Sequence, residues 1–487
     1  MRFLRHSEKP SWCASLIPFA VLAAVLACVI RIFGADALSG ASQVALLFAS
    51  AVVVAISMSK YRVPWKVLED AVLDNIRSVG SAIIILFLIG AIAGTWMISG
   101  IVPTLIYYGM KVIFPEIFLL AACLISAIVA VMTGSSWTTI ATIGVALIGI
   151  GTALGYSAGW TAGAIISGAY FGDKISPLSD TTVLASSSSG TPLFTHIKYM
   201  MLTTVPSIII AMIVFLTVSL CHDNADAAHI GEFSQSLKST FRISPLLLIV
   251  PLITALLIVK KIPAIITLSS ASLMAAVAAL IFQPHIVAEV ASGPLQTFDG
   301  LGYQEAFKGI MITFYGATGI DTGNEVLNGL IATRGMVGML NTVFLIIMAV
   351  TFGGVLTGSG MLQSLTSMLT RVVSKTVSVV ASTVGTGVFC NMVTGDQYIS
   401  IILTSNMYRK LYESNGYENR LLSRSVEDSA TVVSVLIPWN SCGMTQSTVL
   451  KVSTIDYMPY CLFNIISPLM SIFIAAIGYK IFKKKPA

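Results

Sequence analysis

The sequence predicts an all-α polytopic membrane protein built from two inverted repeats, and three observations predict it. The first is composition. The 487 residues are 56% hydrophobic and 10% charged, with a mean hydropathy of +0.88. No soluble class matches that, and the length leaves room for about a dozen membrane-embedded elements of ~20 residues each. The second is the stretch 167–189, where Asp173, Lys174, Pro177 and Asp180 lie among hydroxyls between two apolar segments. A charge at the bilayer centre costs roughly 2.5–3.5 kcal/mol, and non-helical backbone survives at that depth only where protein buries it or water lines it. A membrane helix broken around a small polar ligand meets both conditions; the alternative is an extramembrane loop. The third is recurrence: turn, glycine and acidic signals of the first half return in the same order about 260 residues later.

Residues 1–13 carry Arg2, Arg5 and Lys9 and read as a cytoplasmic N-terminus. The apolar run that follows is too long for a signal peptide, and too many spans succeed it. The first repeat, 14–220, opens with spans at 14–33 and 42–58. Lys60, Arg62, Lys66 and Arg77 then mark a basic stretch in which Trp65 to Asn75 forms an amphipathic surface helix. A span at 79–98 leads to a short interfacial arm at 101–114. A re-entrant hairpin, 116–153, consists of two half-length helices joined at Thr133-Gly134-Ser135-Ser136-Trp137. The broken helix covers 158–190, and a span at 198–220 closes the repeat.

The polar loop 221–242, with Asp223, Asp226 and Glu232, is expected to be external. The second repeat, 243–479, begins with spans at 243–259 and 263–283 around Lys260-Lys261. A long polar connection containing Asp321 and Glu325 runs to about residue 337. The second hairpin is placed at 376–412 and the second broken helix at 418–440. Residues 480–487, rich in lysine, form a basic cytoplasmic C-terminus.

Four matches carry the repeat. Trp65-Lys66-Val67-Leu68 answers Asn324-Glu325-Val326-Leu327, and Gly94 with Ser99-Gly100 answers Gly354 with Ser359-Gly360. Met132-Thr133-Gly134 answers Met392-Val393-Thr394-Gly395. Ser179-Asp180-Thr181 answers Glu427-Asp428-Ser429 at an offset of 248. With both basic termini inside, each half has five crossings plus a hairpin. Five is odd, so the second half is inverted. Inverted repeats with broken helices meeting at the midplane belong to secondary transporters.

The chemistry converges on two hairpin tips and two breaks. The tips offer Thr133, Ser135, Ser136 and Thr138, and Thr394, Asp396 and Gln397; the breaks offer Ser176, Ser179, Asp180 and Thr181, and Glu427, Asp428, Ser429 and Thr431. These are hard oxygen ligands suited to Na⁺, and interrupted helices add dipole ends. Na⁺ is placed at Asp180, Asp396 and Asp428, with Asp180 and Asp428 as the matching central pair. Proton coupling falls to Asp180, Asp428 and Glu427, whose crowding favours holding a proton that arriving Na⁺ displaces. Asp173 joins the site, with Lys174 either neutralising it or forming a structural salt bridge at the break. Asn440 either ligates an ion or bonds across helices. His196 reads as a loop or interface residue rather than a proton relay, Trp137 as packing, and Trp439 as an anchor of the second break. No Walker A, His-Glu-x-x-His or Cys-x-x-Cys motif occurs among the 487 residues. The chain is therefore expected to be no enzyme, to need no cofactor beyond the ions it moves, and to bind no nucleic acid. The seven cysteines fall mainly in apolar segments and suggest no disulfide framework.

At Gly168-Ala-Tyr-Phe-Gly-Asp-Lys-Ile-Ser-Pro-Leu-Ser-Asp-Thr-Thr182 the chain resembles the NhaC family of sodium/proton antiporters. Thr322 to Met336, Pro438-Trp-Asn-Ser-Cys-Gly443 and Tyr457-Met-Pro-Tyr460 agree. The resemblance implies a member of the ion transporter superfamily: a homodimer of the bacterial inner membrane, with a static scaffold and an elevator-type transport domain that exchanges Na⁺ for H⁺. Val183 stands where relatives often carry Asn, and Ala185-Ser186 where they carry Ala-Pro; the run Ser186 to Ser189 is also a departure. These changes leave open a second reading. It is Na⁺- or H⁺-coupled transport of a small organic acid of the malate or lactate type, or of an amino acid. A channel or membrane-embedded enzyme fits poorly, because paired breaks imply alternating access and no nucleophile–base constellation is visible.

Overall fold

A computed structural model describes residues 10–33, 40–222, 227–260, 262–293, 300–369 and 375–483. Among them, nine helices are long and apolar enough to cross a membrane, or up to eleven if two bent pairs each count as one span. The only strand-like pairings among the described residues are the isolated bridges Thr318–Thr333 and Tyr417–Lys483. The chain is a multi-pass helical membrane protein, because in lipid each backbone polar group must be satisfied within its own segment. Residues 1–9, 484–487, Asp223, Asp226 and Lys261, parts of the expected termini and loops, lie outside the described residues.

The expected early spans form Trp12–Phe33, Ala41–Ser59 and Gly80–Ile98, with the surface helix at Trp65–Ser78. Other regions differ from expectation. The arm at 101–114 is the helix Ile101–Val112, and Ile101, Val102, Ile106 and Tyr107 bury one face of it. Gly109 meets Ile150 and Gly149 meets Ile106, so the arm packs into the body through small residues. The loop 221–242 contains the helix Ala227–Thr240. Its stripe of Phe233 and Leu237, continued by Phe241 beyond the helix end, recurs every four residues and is buried. The connection before 337 holds the helices Pro284–Ser292, Tyr303–Tyr315 and Glu325–Ile331. The span expected from 198 starts at Leu193, after the turn-setting Pro192.

Both hairpins are present. The first runs through Phe118–Thr133 and, after a turn, from Ser136 through a π-helical segment Ile140–Gly144 to Ala153. Each arm, with the 3-10 turn Pro115–Ile117 included, is long enough to cross, so the expected half-length helices are full-length. Its open end is closed by Tyr156, whose hydroxyl donates to the Pro115 carbonyl at 2.9 Å. The second hairpin pairs Thr376–Thr394 with Gln397–Ser414. Tyr417, 261 residues beyond Tyr156, closes it through a 2.7 Å bond between its hydroxyl and that of Thr376.

The same spacing recurs throughout. Gly80–Ile98 and Leu340–Gly358 are both 19 residues long and begin 260 apart. Trp65 and Glu325, also 260 apart, each begin a helix, a one-residue shift from the expected match. Gly190 and Lys451, 261 apart, both end a helix in the left-handed conformation.

Candidate functional site

Proline fixes where the two long helices stop. Ala158–Ile175 ends because Pro177 lacks an N–H and forces Ser176 into an extended conformation (φ −75°, ψ 129°). The chain restarts at Asp180–Ser189, capped by Ser179 Oγ, which accepts the Thr182 N–H at 3.3 Å. Pro438 acts in the same way 261 residues later: Ile437 is extended, and Asn440 Oδ1 caps Ser441–Leu450 by accepting the Cys442 N–H at 3.0 Å. Asn440 also ties this break to the second hairpin, donating to Asn391 Oδ1 at 3.1 Å. The expected second broken helix thus breaks at 437–440 and continues to Leu450. The spacing of these breaks is 261 rather than the expected offset of 248. Asp180 corresponds to Ser441, and Asp428 to Ser167.

The hairpin tips share one construction. Gly134 (φ 63°) and Gly395 (φ 65°) turn in the left-handed region. Thr133 Oγ1 donates to the Ser135 carbonyl at 3.1 Å, and Thr394 Oγ1 to that of Asp396 at 3.0 Å. Ser135 Oγ and Asp396 Oδ1 then cap the next arm by accepting the N–H groups of Thr138 and Ile399. A Cβ on Gly134 would sit 2.7 Å from the Leu178 carbonyl carbon, so the first tip seats directly on the first break.

At that seat lies a cavity of about 300 Å³. Thr133, Ser135, Thr138, Asp173, Asp180 and Tyr398 line its polar wall; Ala82, Ile85, Ile258 and Pro263 line the opposite one. Asp173 Oδ2 accepts the Ser136 N–H at 2.9 Å and its hydroxyl at 2.7 Å, while buried Oδ1 has no hydrogen-bond partner. Asp180 Oδ1 accepts the Thr181 N–H at 2.9 Å, and Oδ2 accepts the Tyr398 hydroxyl at 2.7 Å. Such a cavity offers oxygen ligands and negative charge to a cation.

A second polar cluster lies away from the cavity wall. Lys174 Nζ donates to Asp428 Oδ1, and both side chains are fully buried. Ser467 and Thr203 hydroxyls also donate to that oxygen, at 2.9 and 3.2 Å. Glu427, fully buried, has no hydrogen bond to either carboxylate oxygen and lies 4.0 Å from His196 Nε2. His196 Nδ1 pairs with Ser423 Oγ at 2.8 Å. Arg424, also buried, stacks over Tyr199 at 4.8 Å. Glu427–Thr431 is π-helical, an irregularity common at functional sites.

The expected single centre is therefore two. Asp173, Asp180, Thr133 and Ser135 meet in the cavity, with Ser136 holding Asp173. Ser176 instead bonds the Val131 carbonyl at 2.8 Å, and Ser179 bonds Thr181 at 3.0 Å. Thr394 and Asp396 build the second tip, where Asp396 Oδ2 accepts the Ser441 hydroxyl at 3.2 Å. Ser429 bonds the Ser425 carbonyl at 2.7 Å. Asp180, Asp396 and Asp428 form no common metal-holding group among the described residues. Among the described residues no three acidic, His or Cys side chains gather into one metal-holding group. Lys174 pairs with Asp428 rather than Asp173, since consecutive helical residues face different directions. His196, read as a loop or interface residue, is buried against Glu427. Tyr398 and the Thr203–Ser467 contacts were missed; Tyr398 was findable as the counterpart of Trp137, 261 residues on.

The family model for the Na⁺/H⁺ antiporter family matches residues 12–188 and 168–479. The chain is 36% identical over 424 residues to the Na⁺/H⁺ antiporter NhaC of Alkalihalophilus pseudofirmus, covering 87% of this chain and 88% of that one. It is 36% identical over 398 residues to the malate-2H⁺/Na⁺-lactate antiporter of Bacillus subtilis, covering 81% of each. It is 32% identical over 483 residues to the arginine/ornithine antiporter ArcD of Halobacterium salinarum, covering 98% of this chain and 94% of that one. With its hairpins, breaks and polar cavity, this chain belongs to the Na⁺/H⁺ antiporter family.

Proposed function

We propose that the protein exchanges Na⁺ for H⁺ across the bacterial inner membrane by alternating access, with both termini cytoplasmic. One observation carries the reading. A cavity between the first hairpin tip, the first break and neighbouring helices is lined by Asp173 and Asp180 beside hydroxyl-bearing residues, and Asp173 Oδ1 is buried without a hydrogen-bond partner. Carboxylate and hydroxyl oxygens suit a hard cation. The family, and the relative named as a Na⁺/H⁺ antiporter, support Na⁺ as that cation. Asp180, Asp428 and Glu427 are the carboxylates assigned to proton coupling. Glu427 has both oxygens free of hydrogen bonds and His196 beside it, which leaves it room to hold a proton.

The recurring 260–261 spacing supports an inverted repeat, with the first repeat at 14–220 and the second at 243–479. The cavity's position supports an elevator-type movement: hairpins and broken helices shift against a scaffold that includes Gly80–Ile98, Ile249–Val259 and Ala264–Phe282, in a homodimer. The test is reconstitution in vesicles holding a pH-sensitive dye. Addition of Na⁺ alone should release protons, and Asp180→Asn should abolish the signal at normal protein levels. Wild-type protein silent to Na⁺, Li⁺ and K⁺ would sink the proposal.

A second reading, coupled transport of an organic acid or amino acid, draws on one further observation. The cavity's 300 Å³ falls within the range of organic-ligand sites, and two relatives are named for organic solutes. A signal in the same vesicles only when solute is present selects it.

A further inference from the structure

The cavity's charge and shape specify more than a metal ion. Among the described residues, the charged side chains on its wall are Asp173 and Asp180. The nearby buried cation, Lys174, is committed to Asp428 and Ser467. Among the described residues an organic anion would meet two carboxylates and no counter-charge on that wall, whereas a cation is drawn in. Trp137 and Tyr398 lie on the same wall, and aromatic rings attract organic ammonium groups. A bare Na⁺ needs neither.

A second cavity of about 110 Å³ adjoins the first, sharing Thr133 and Ile258 as common wall. Its other surfaces include Trp96, Leu105, Val129, Ile143 and Pro251, and among the described residues it contains no charged side chain. At about 30 Å³ per water-sized group, it accommodates three or four carbon atoms. The carboxylates and the apolar annex are arranged as head and tail of one amphipathic ligand.

We infer that the two cavities together bind a small primary alkylammonium ion, its nitrogen at Asp173 and Asp180 and its chain in the annex beyond Thr133. The inference rests on the reading of the carboxylate cavity as the cation site, and it extends that site's ligands from alkali metals to organic cations.

The test is calorimetric binding of methyl-, propyl-, butyl- and hexylammonium to the purified full-length protein, alongside ²²Na⁺ uptake by the same preparation in vesicles. Each methylene that enters the annex should tighten binding about fourfold, so butylammonium should bind on the order of fiftyfold tighter than methylammonium. The gain should stop at hexylammonium, whose chain outgrows the annex. Thr254→Leu, which fills the annex from a buried wall position, should flatten the series and leave methylammonium binding and Na⁺ uptake intact. If that variant folds poorly, Leu105→Phe serves the same purpose. Wild-type affinity that ignores chain length, or a chain-length gain that survives both variants, overturns the inference. Chain-length-dependent binding without any Na⁺ uptake would support it while removing Na⁺ exchange as the function, so the two failures are separable.

Discussion

The two hairpin-and-break units share a backbone and differ in where they carry charge. At a spacing of 261 residues Asp173 stands opposite Ser434, Asp180 opposite Ser441, Asp396 opposite Ser135, and Asp428 opposite Ser167. Every one of these carboxylates is answered by a serine in the other copy. Like charges at equivalent places would disfavour ionisation of both; a serine keeps the hydrogen bonding and drops the charge. In the broken helices, though not in the hairpins, backbone regularity divides the same way. Ala158–Ile175 is one α-helix, while its counterpart passes through α, π and 3-10 turns at Asn419–Val426, Glu427–Thr431 and Ser434–Leu436. The regular copy opens its carboxylates to a cavity. The irregular copy buries Glu427 and Asp428 among Lys174 and His196.

The contrast can be broken hardest at the buried pair. Asp428→Asn leaves Lys174 uncompensated in the protein interior and should cost about 3–5 kcal/mol of stability. Its counterpart, Ser167→Ala, should cost about 1 kcal/mol, since it removes a single hydrogen bond from the Phe463 N–H. Melting in detergent measures both. The double change Lys174→Met with Asp428→Leu should recover most of the loss; equal destabilisation by both single variants would erase the distinction between the copies.

Next comes the cavity. Asp173→Asn should lower Na⁺-driven proton release on the order of 100-fold, and adding Ser434→Asp should not restore it. Restoration in the dye assay would mean the copies are interchangeable. The caps follow: Ser179→Ala and Asn440→Ala should each cost about 1–2 kcal/mol. Asn440 should sit at the upper end, because its amide also donates to Asn391. The smallest effect falls on the aromatic pair. Tyr398→Phe removes the hydroxyl held by Asp180 and should shift apparent Na⁺ affinity up to about tenfold, while Trp137→Phe should leave it unchanged. Equal shifts in a Na⁺ titration would deny Tyr398 its role in orienting Asp180.

Much of this frame was legible in the sequence. Pro177 among hydroxyls announced a break, Thr-Gly-Ser and Thr-Gly-Asp announced the tips, and the recurring signals gave the spacing. The charged residues misled. Ser-Asp-Thr looks like Glu-Asp-Ser, and that likeness suggested an offset of 248. The residues that stop and restart helices, Pro177 with Pro438 and Ser179 with Asn440, keep the spacing of 261. Backbone chemistry determines which positions correspond, and side-chain charge is free to diverge upon it. The partner of Lys174 was not legible, because Asp428 lies 254 residues away and nothing local points to it. The helix Ala227–Thr240 escaped because its buried apolar stripe is so sparse.

The tyrosines that close the hairpins have a mechanical consequence. Tyr156 fastens to Pro115 and Tyr417 to Thr376, while at the far end a glycine turn knitted by threonine and serine or aspartate bonds holds each pair of arms together. A rod pinned at both ends cannot scissor. In the elevator-type movement proposed above, each hairpin would travel as one stiff strut, and the bending would be taken up in the connecting chain outside 115–156 and 376–417.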